Sequence, residues 1–186
     1  MVQLVEAWVR GGVDAVQLRH KSLPRGSLLD LAVRLAELCR AGGALFVVND
    51  HVDIALSSAA DAVHLGPDDL SVAGARRASG PRLLIGASAS TPGAAVRAEA
   101  AGADYLGSGP AYATPLKTEK RVIGPAGVAA VAVAVRIPVF AIGGIDLERV
   151  RELKAAGVTR VCAIRSLAGP ADPEGRARLF REALYE

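Results

Sequence analysis

The chain has 186 residues, is 51% apolar and 22% charged, and carries 20 Gly, 10 Pro and only 4% aromatic residues. Domains run about 100–200 residues, so one domain over 1–186 is expected, and a half-apolar chain can offset its ordering entropy, which argues against disorder. The net charge of +3 is carried by scattered basic residues with few aromatics among them, a balance that suits an anionic small molecule as readily as a nucleic acid.

In chain order, Val2 to Arg10 is helical and no strand precedes it. A pattern then recurs four times: small residues and glycine, a polar residue, and a short apolar run. Gly11 to Leu18, Ala59 to Leu65, Ala101 to Leu106 and Ala156 to Ile164 are the four instances. Each fits a helix that ends near a left-handed cap and passes at once into a strand. Further strand-like runs are Ala44–Val48, Leu83–Ala87 and Pro138–Ile142, with helical patterns at Leu28–Arg40 and Pro92–Ala101 between them. Ser27 and Thr91 stand where N-caps of those two helices are expected.

Seven strands are therefore predicted, at about 14–18, 44–48, 61–65, 83–87, 104–107, 138–142 and 160–164. Strands that alternate with helices imply a parallel α/β sheet. A doubly wound sheet and a barrel both accept this order. The gathering of polar residues and glycines after nearly every strand favours a (β/α)8 TIM-type barrel lacking its first strand.

The longest apolar stretch, Gly124 to Phe140, is broken by Arg136 and Pro138, short of the roughly 20 residues of a spanning helix. No signal peptide is seen, so a cytoplasmic location is expected, with Cys39 and Cys162 as reduced, buried, inert thiols. No membrane partner is expected.

Chemistry gathers at the strand ends. Gln17, Arg19 and Lys21 alternate after the first strand, so they project to one side. An arginine fork and a lysine point charge suit a diphosphate, or form a solvated basic loop. Asn49-Asp50 ends the next strand and Gly66-Pro67-Asp68-Asp69 follows the third. Asp50 and Asp69 could each cap a helix; together, opposite a basic loop, they suit Mg2+ shared with phosphate oxygens. Ser88 is a binding group at most, since no base stands beside it.

The longest connection runs from Gly107 to Pro125 and carries Thr114 and Lys117; a loop of this length is usually a lid or a binding loop. Gly143-Gly144 and Ile164-Arg165 end the last two strands, the pair of loops at which barrels bind a phosphate. His20, His51 and His64 form no metal set and are read as core or surface residues; Trp8 and Phe46 are read as packing. Two anion sites in one barrel suggest a transferase that joins two phosphorylated molecules.

The chain resembles the thiamine-phosphate synthase family over about residue 2 to 186. The likeness lies in Gln17-Leu18-Arg19-His20-Lys21, Val48-Asn49-Asp50, His64-Leu65-Gly66-Pro67-Asp68-Asp69, Gly109-Pro110-Ala111-Tyr112-Ala113-Thr114 and Ile142-Gly143-Gly144-Ile145. The resemblance implies a (β/α)8 barrel that couples hydroxymethylpyrimidine diphosphate to a thiazole phosphate, releasing pyrophosphate. It implies that Gln17, Arg19, Lys21, Asn49, Ser88 and Lys117 bind the pyrimidine diphosphate, with Arg19, Lys21 and Lys117 catalytic. It further implies that Asp50 and Asp69 hold Mg2+ and that Thr114, Gly144, Ile164 and Arg165 bind the thiazole phosphate.

The chain departs from that family's pattern at His20, Pro67, Leu116 and Arg165, and it has no counterpart of the first strand before Val2. An open gap between parallel strands is costly, so a homo-oligomer is an expected partner arrangement. Two alternatives stay open. One is an isomerase like the thiazole tautomerases, whose catalytic His is replaced here by Pro110; the other is a non-catalytic binder of thiazole or thiamine phosphate.

Overall fold

The structure, a computed structural model, describes residues 1–114 and 121–185. Among them, seven parallel strands form one sheet in sequence order: β1 (Ala15–Leu18), β2 (Leu45–Asn49), β3 (Ala62–Leu65), β4 (Leu84–Ser88), β5 (Tyr105–Ser108), β6 (Val139–Ile142) and β7 (Val161–Cys162). The helices are α1 (Val2–Arg10), α2 (Arg25–Ala41), α3 (Val52–Ser57), α4 (Val72–Ser79), α5 (Pro92–Ala100), α6 (Gly124–Val133), α7 (Leu147–Ala155), α8 (Arg165–Ala168) and α9 (Pro173–Tyr185). This is the predicted (β/α)8-type barrel with one strand missing.

The repeats explain how each helix hands over to its strand. Gly12, Gly102 and Gly157 take φ of +85°, +96° and +82°, and Ala59 plays the same part at +53°. The polar residue of the pattern has a structural use: Asp61 Oδ2 accepts the Phe46 N–H at 2.7 Å, and Asp104 Oδ2 accepts the Ile85 N–H at 2.7 Å. Each carboxylate thus pins its own strand to the start of the strand before it.

Strand register sorts the side chains into two sets. Val16, Leu18, Phe46, Val48, Val63, Leu65, Ile85, Leu106, Val139 and Ala141 are buried, and they alternate with Gln17, Asn49, His64, Ser88, Tyr105 and Phe140 on the inner face. The inner face is not fully covered: Leu45 is 46% and Leu84 43% exposed.

Among the described residues β1 and β7 are the sheet edges and do not pair with each other. The helices nonetheless meet across this seam. Trp8 Nε1 donates to Leu167 O at 3.0 Å, Arg10 Nε to Glu174 Oε2 at 2.9 Å, and Arg181 Nη1 to Gly12 O at 2.9 Å. Gly11 is needed there, because a Cβ would lie 2.4 Å from Glu174 O.

Three local expectations are corrected. The helix assigned to Leu28–Arg40 begins at Arg25 after Pro24, so Ser27 lies within it and caps nothing, whereas Thr91 Oγ1 does accept the Ala94 N–H at 3.2 Å. The last strand is two residues long, since an edge strand is held from one side only. Cys39 is buried, with its thiol pushed up to about 11 by burial, but Cys162 is exposed on the edge strand. No helix among the described residues is long and apolar enough to cross a membrane.

Candidate active site

A parallel sheet places every loop that follows a strand at the same end, and the polar residues singled out in the sequence gather there. The ladder between β2 and β3 runs one residue past β2: Asp50 N donates to His64 O at 2.8 Å. Asp50 takes φ +68°, a left-handed conformation that Asp tolerates better than most residues. After β3, Gly66 N donates to Asp69 Oδ2 at 2.7 Å and folds Asp69 back toward the strand ends.

The two carboxyl groups thereby meet. Burial, a hydrogen bond to Asp69 and the like charge of Asp69 hold Asp50 above the usual carboxylate range, while Arg19 and His51 pull it back. Two carboxylates at this separation repel, and a divalent cation relieves the repulsion. Among the described residues no group of three or more His, Cys, Asp or Glu could hold a metal. The donor set therefore fits an ion such as Mg2+ only if phosphate oxygens and water complete its coordination.

Arg19 and Lys21 are exposed after β1, with Arg19 near enough to act on Asp50. Between them His20 has a structural role: its Nδ1 accepts the Leu23 N–H at 3.1 Å and so turns the loop. Across the inner face, Asn49 stands beside His64, and His64 Nε2 lies 3.0 Å from Ser88 Oγ, so the expectation that no base stands beside Ser88 is corrected: the pairing comes from the neighbouring strand and not from its own loop. The Tyr105 ring packs against His64, at 5.6 Å between centroids, and against Phe140, at 5.7 Å. Gly86 makes room for that ring, because a Cβ there would lie 2.1 Å from Tyr105 Cζ. Burial pushes the Tyr105 hydroxyl above its usual range, and among the described residues its Oη has no hydrogen-bond partner.

Opposite the carboxylates, β6 ends in a turn of Gly143 (φ +93°) and Gly144 (φ +68°). A Cβ on Gly144 would lie 2.7 Å from Ala113 O, so the turn and the loop after β5 are in direct contact. Two backbone bonds lace them together: Ala111 N to Ile142 O at 2.8 Å and Tyr112 N to Gly143 O at 3.1 Å. Beside them Ile164 precedes α8, Arg165 begins it, and Ser166 Oγ donates to Ile145 O at 2.6 Å, which joins the last two loops. Thr114 lies on the β5 loop next to this turn; Lys117 lies outside the described residues.

Sequence reading missed two groups. His64 is buried, and strand alternation places it, with Tyr105, which carries no motif, on the face that holds Asn49 and Ser88. Arg149 and Glu152 of α7, which hold Tyr112, have no local signal.

Comparison with known proteins bears on the fold and the family. A family model described as thiamine monophosphate synthase matches residues 1–167. A thiamine-phosphate synthase of Gloeobacter violaceus is 44% identical over 99% of this chain, which spans 54% of that relative's length. One from Moorella thermoacetica is 42% identical over 98% of this chain and 88% of its own. Among solved structures, a thiamine phosphate pyrophosphorylase from Pyrococcus furiosus superposes with a TM-score of 0.93 at 37% identity, covering 98% of this chain and 88% of that one. A 3-hexulose-6-phosphate synthase, at 19% identity and a TM-score of 0.78, covers 98% of this chain and 92% of its own and shares the fold.

Proposed function

The chain belongs to the thiamine monophosphate synthase family, and from that premise we propose that it joins hydroxymethylpyrimidine diphosphate to a thiazole phosphate, forming thiamine phosphate and releasing pyrophosphate. The observation that carries this reading is the pairing of Asp50 with Asp69 beside Arg19, at the same end of the sheet as the Gly143–Gly144 turn. One side suits a metal-bound diphosphate and the other a monophosphate.

The reaction breaks the bond between the pyrimidine methylene carbon and the bridging oxygen, and the electron pair leaves with pyrophosphate. The thiazole nitrogen then supplies the pair for the new carbon–nitrogen bond. Arg19 and Lys21, with Lys117 from the β5 loop, stabilise the charge gathering on the departing pyrophosphate. Asp50 and Asp69 would hold Mg2+, which when bound supplies further positive charge to the leaving group. Gln17, Asn49 and Ser88 orient the pyrimidine, and Thr114, Gly144, Ile164 and Arg165 hold the thiazole phosphate. Catalysis comes from positioning and leaving-group electrostatics, with no protein nucleophile. A cytoplasmic homo-oligomer that covers the seam between β1 and β7 completes the reading.

The test mixes the protein with both phosphorylated substrates and Mg2+ and follows thiamine phosphate and pyrophosphate against an EDTA control. Metal-dependent formation of both products in equal amounts is the expected result. A folded protein that binds thiazole phosphate without turnover would instead be a binder.

A further inference from the structure

Arg149, in the first turn of α7, makes three contacts that α7 itself does not require. The cap of this helix is already supplied by Asp146 Oδ1, which accepts the Arg149 N–H at 3.0 Å. The guanidinium reaches back over the glycine turn instead. Its Nη1 donates to Gly144 O, lies 3.4 Å from Asp146 Oδ2, and its central carbon sits 4.7 Å from the centroid of the Tyr112 ring. One turn further on, Glu152 Oε2 accepts the Tyr112 hydroxyl at 2.7 Å. Burial, followed by this bond, pushes Tyr112 up to about 12.

The cluster therefore spans two loops. Tyr112 belongs to the loop after β5, and its backbone N–H is bonded to Gly143 O. Gly144 belongs to the turn after β6. In a trans peptide the carbonyl and the following N–H point opposite ways, so a Gly144 carbonyl drawn to Arg149 turns the Ile145 N–H to the other side. N–H groups of a glycine turn before a helix are the groups an anion takes.

We infer that Arg149 is a positioning residue for the anion site at Gly143–Gly144, clasping that turn and Tyr112 in one geometry so that the turn meets a phosphate already set. The inference rests on the reading of this turn as the phosphate site. An ordinary surface ion pair contributes little, but this guanidinium is shared between a carbonyl, a carboxylate and an aromatic face, which one long flexible amine cannot reproduce.

The experiment titrates wild type, Arg149→Gln, Arg149→Lys and Tyr112→Leu with inorganic phosphate, alongside thermal melts, and then measures turnover. Arg149→Gln is expected to weaken phosphate binding by about tenfold, the size of one charged hydrogen bond. Tyr112→Leu should weaken it less and Arg149→Lys should restore only part of it. With both substrates, the KM for thiazole phosphate should rise by a similar factor while the KM for the pyrimidine diphosphate stays within about twofold. A purely structural arginine would lower the melting temperature and leave phosphate affinity of the folded protein unchanged, and that result overturns the inference. Equal KM rises for both substrates overturn it too. A wild type that binds phosphate in an Arg149-dependent way but forms no thiamine phosphate would sink the proposed reaction and leave the clasp standing.

Discussion

Between β2 and β3 the mouth of the barrel is made of charge: Asp50 and Asp69 are pressed together beside Arg19, and Asp50 is held in a left-handed conformation. Between β5 and β6 it is made of backbone: two glycines at positive φ, laced to the neighbouring loop and clasped from behind by Arg149. On the first side burial and the like charge of Asp69 raise Asp50, an arrangement that works against stability. The second is held by bonds to the Ile142, Gly143 and Gly144 carbonyls, and its cost lies in backbone conformations that only glycine takes freely. The two sides should therefore respond to mutation in opposite ways.

The sharpest break is removal of the charge. Asp50→Ala or Asp69→Ala is expected to lower Mg2+-dependent turnover by about 100-fold or more with the fold retained. Full activity of both variants would remove the metal side of the comparison. Next in size is Gly144→Val, which puts a β-branched side chain at φ +68° and 2.7 Å from Ala113 O. It should cost about 1–3 kcal/mol of stability and raise the KM for thiazole phosphate while sparing that for the diphosphate. Equal effects on both substrates would contradict the division.

The smallest effect is also the one of opposite sign. A carboxyl raised in the folded state binds its proton more tightly there than in the unfolded chain. Its stabilising contribution is present below the unfolded carboxylate range and is lost as pH rises through the raised folded value. Burial raises Asp50 most and the like charge of Asp69 adds to it, so Asp69→Asn removes part of the shift and at pH 7 should melt slightly higher than wild type, with the gain shrinking in acid. Thermal melts across that range, without added metal, check the sign.

Much of this was legible in the sequence because it is local. The strands fall where the glycine and alanine handovers place them, and Asp50, Asp69, Gly143 and Gly144 announce themselves as polar or small residues at strand ends. What was not legible depends on partners far along the chain. His64 joins the site through its register with β2 and β4, and Cys162 is exposed because β7 is an edge. Arg149 meets Tyr112 across 37 residues, a pairing set by how two neighbouring loops pack and by no pattern in either. Ser27 shows the converse: a good cap residue is overruled when Pro24 starts the helix earlier.

The chain has a single tryptophan, and its indole N–H is bonded to Leu167 O, 159 residues away, on the far side of the open seam. That bond exists only when the first and last helices have come together. Bringing together segments so far apart in sequence is entropically expensive, and among the described residues no ladder between β1 and β7 assists it. Trp8 fluorescence therefore offers a local probe of this contact between the two ends of the chain, separate from the dichroism of the helices.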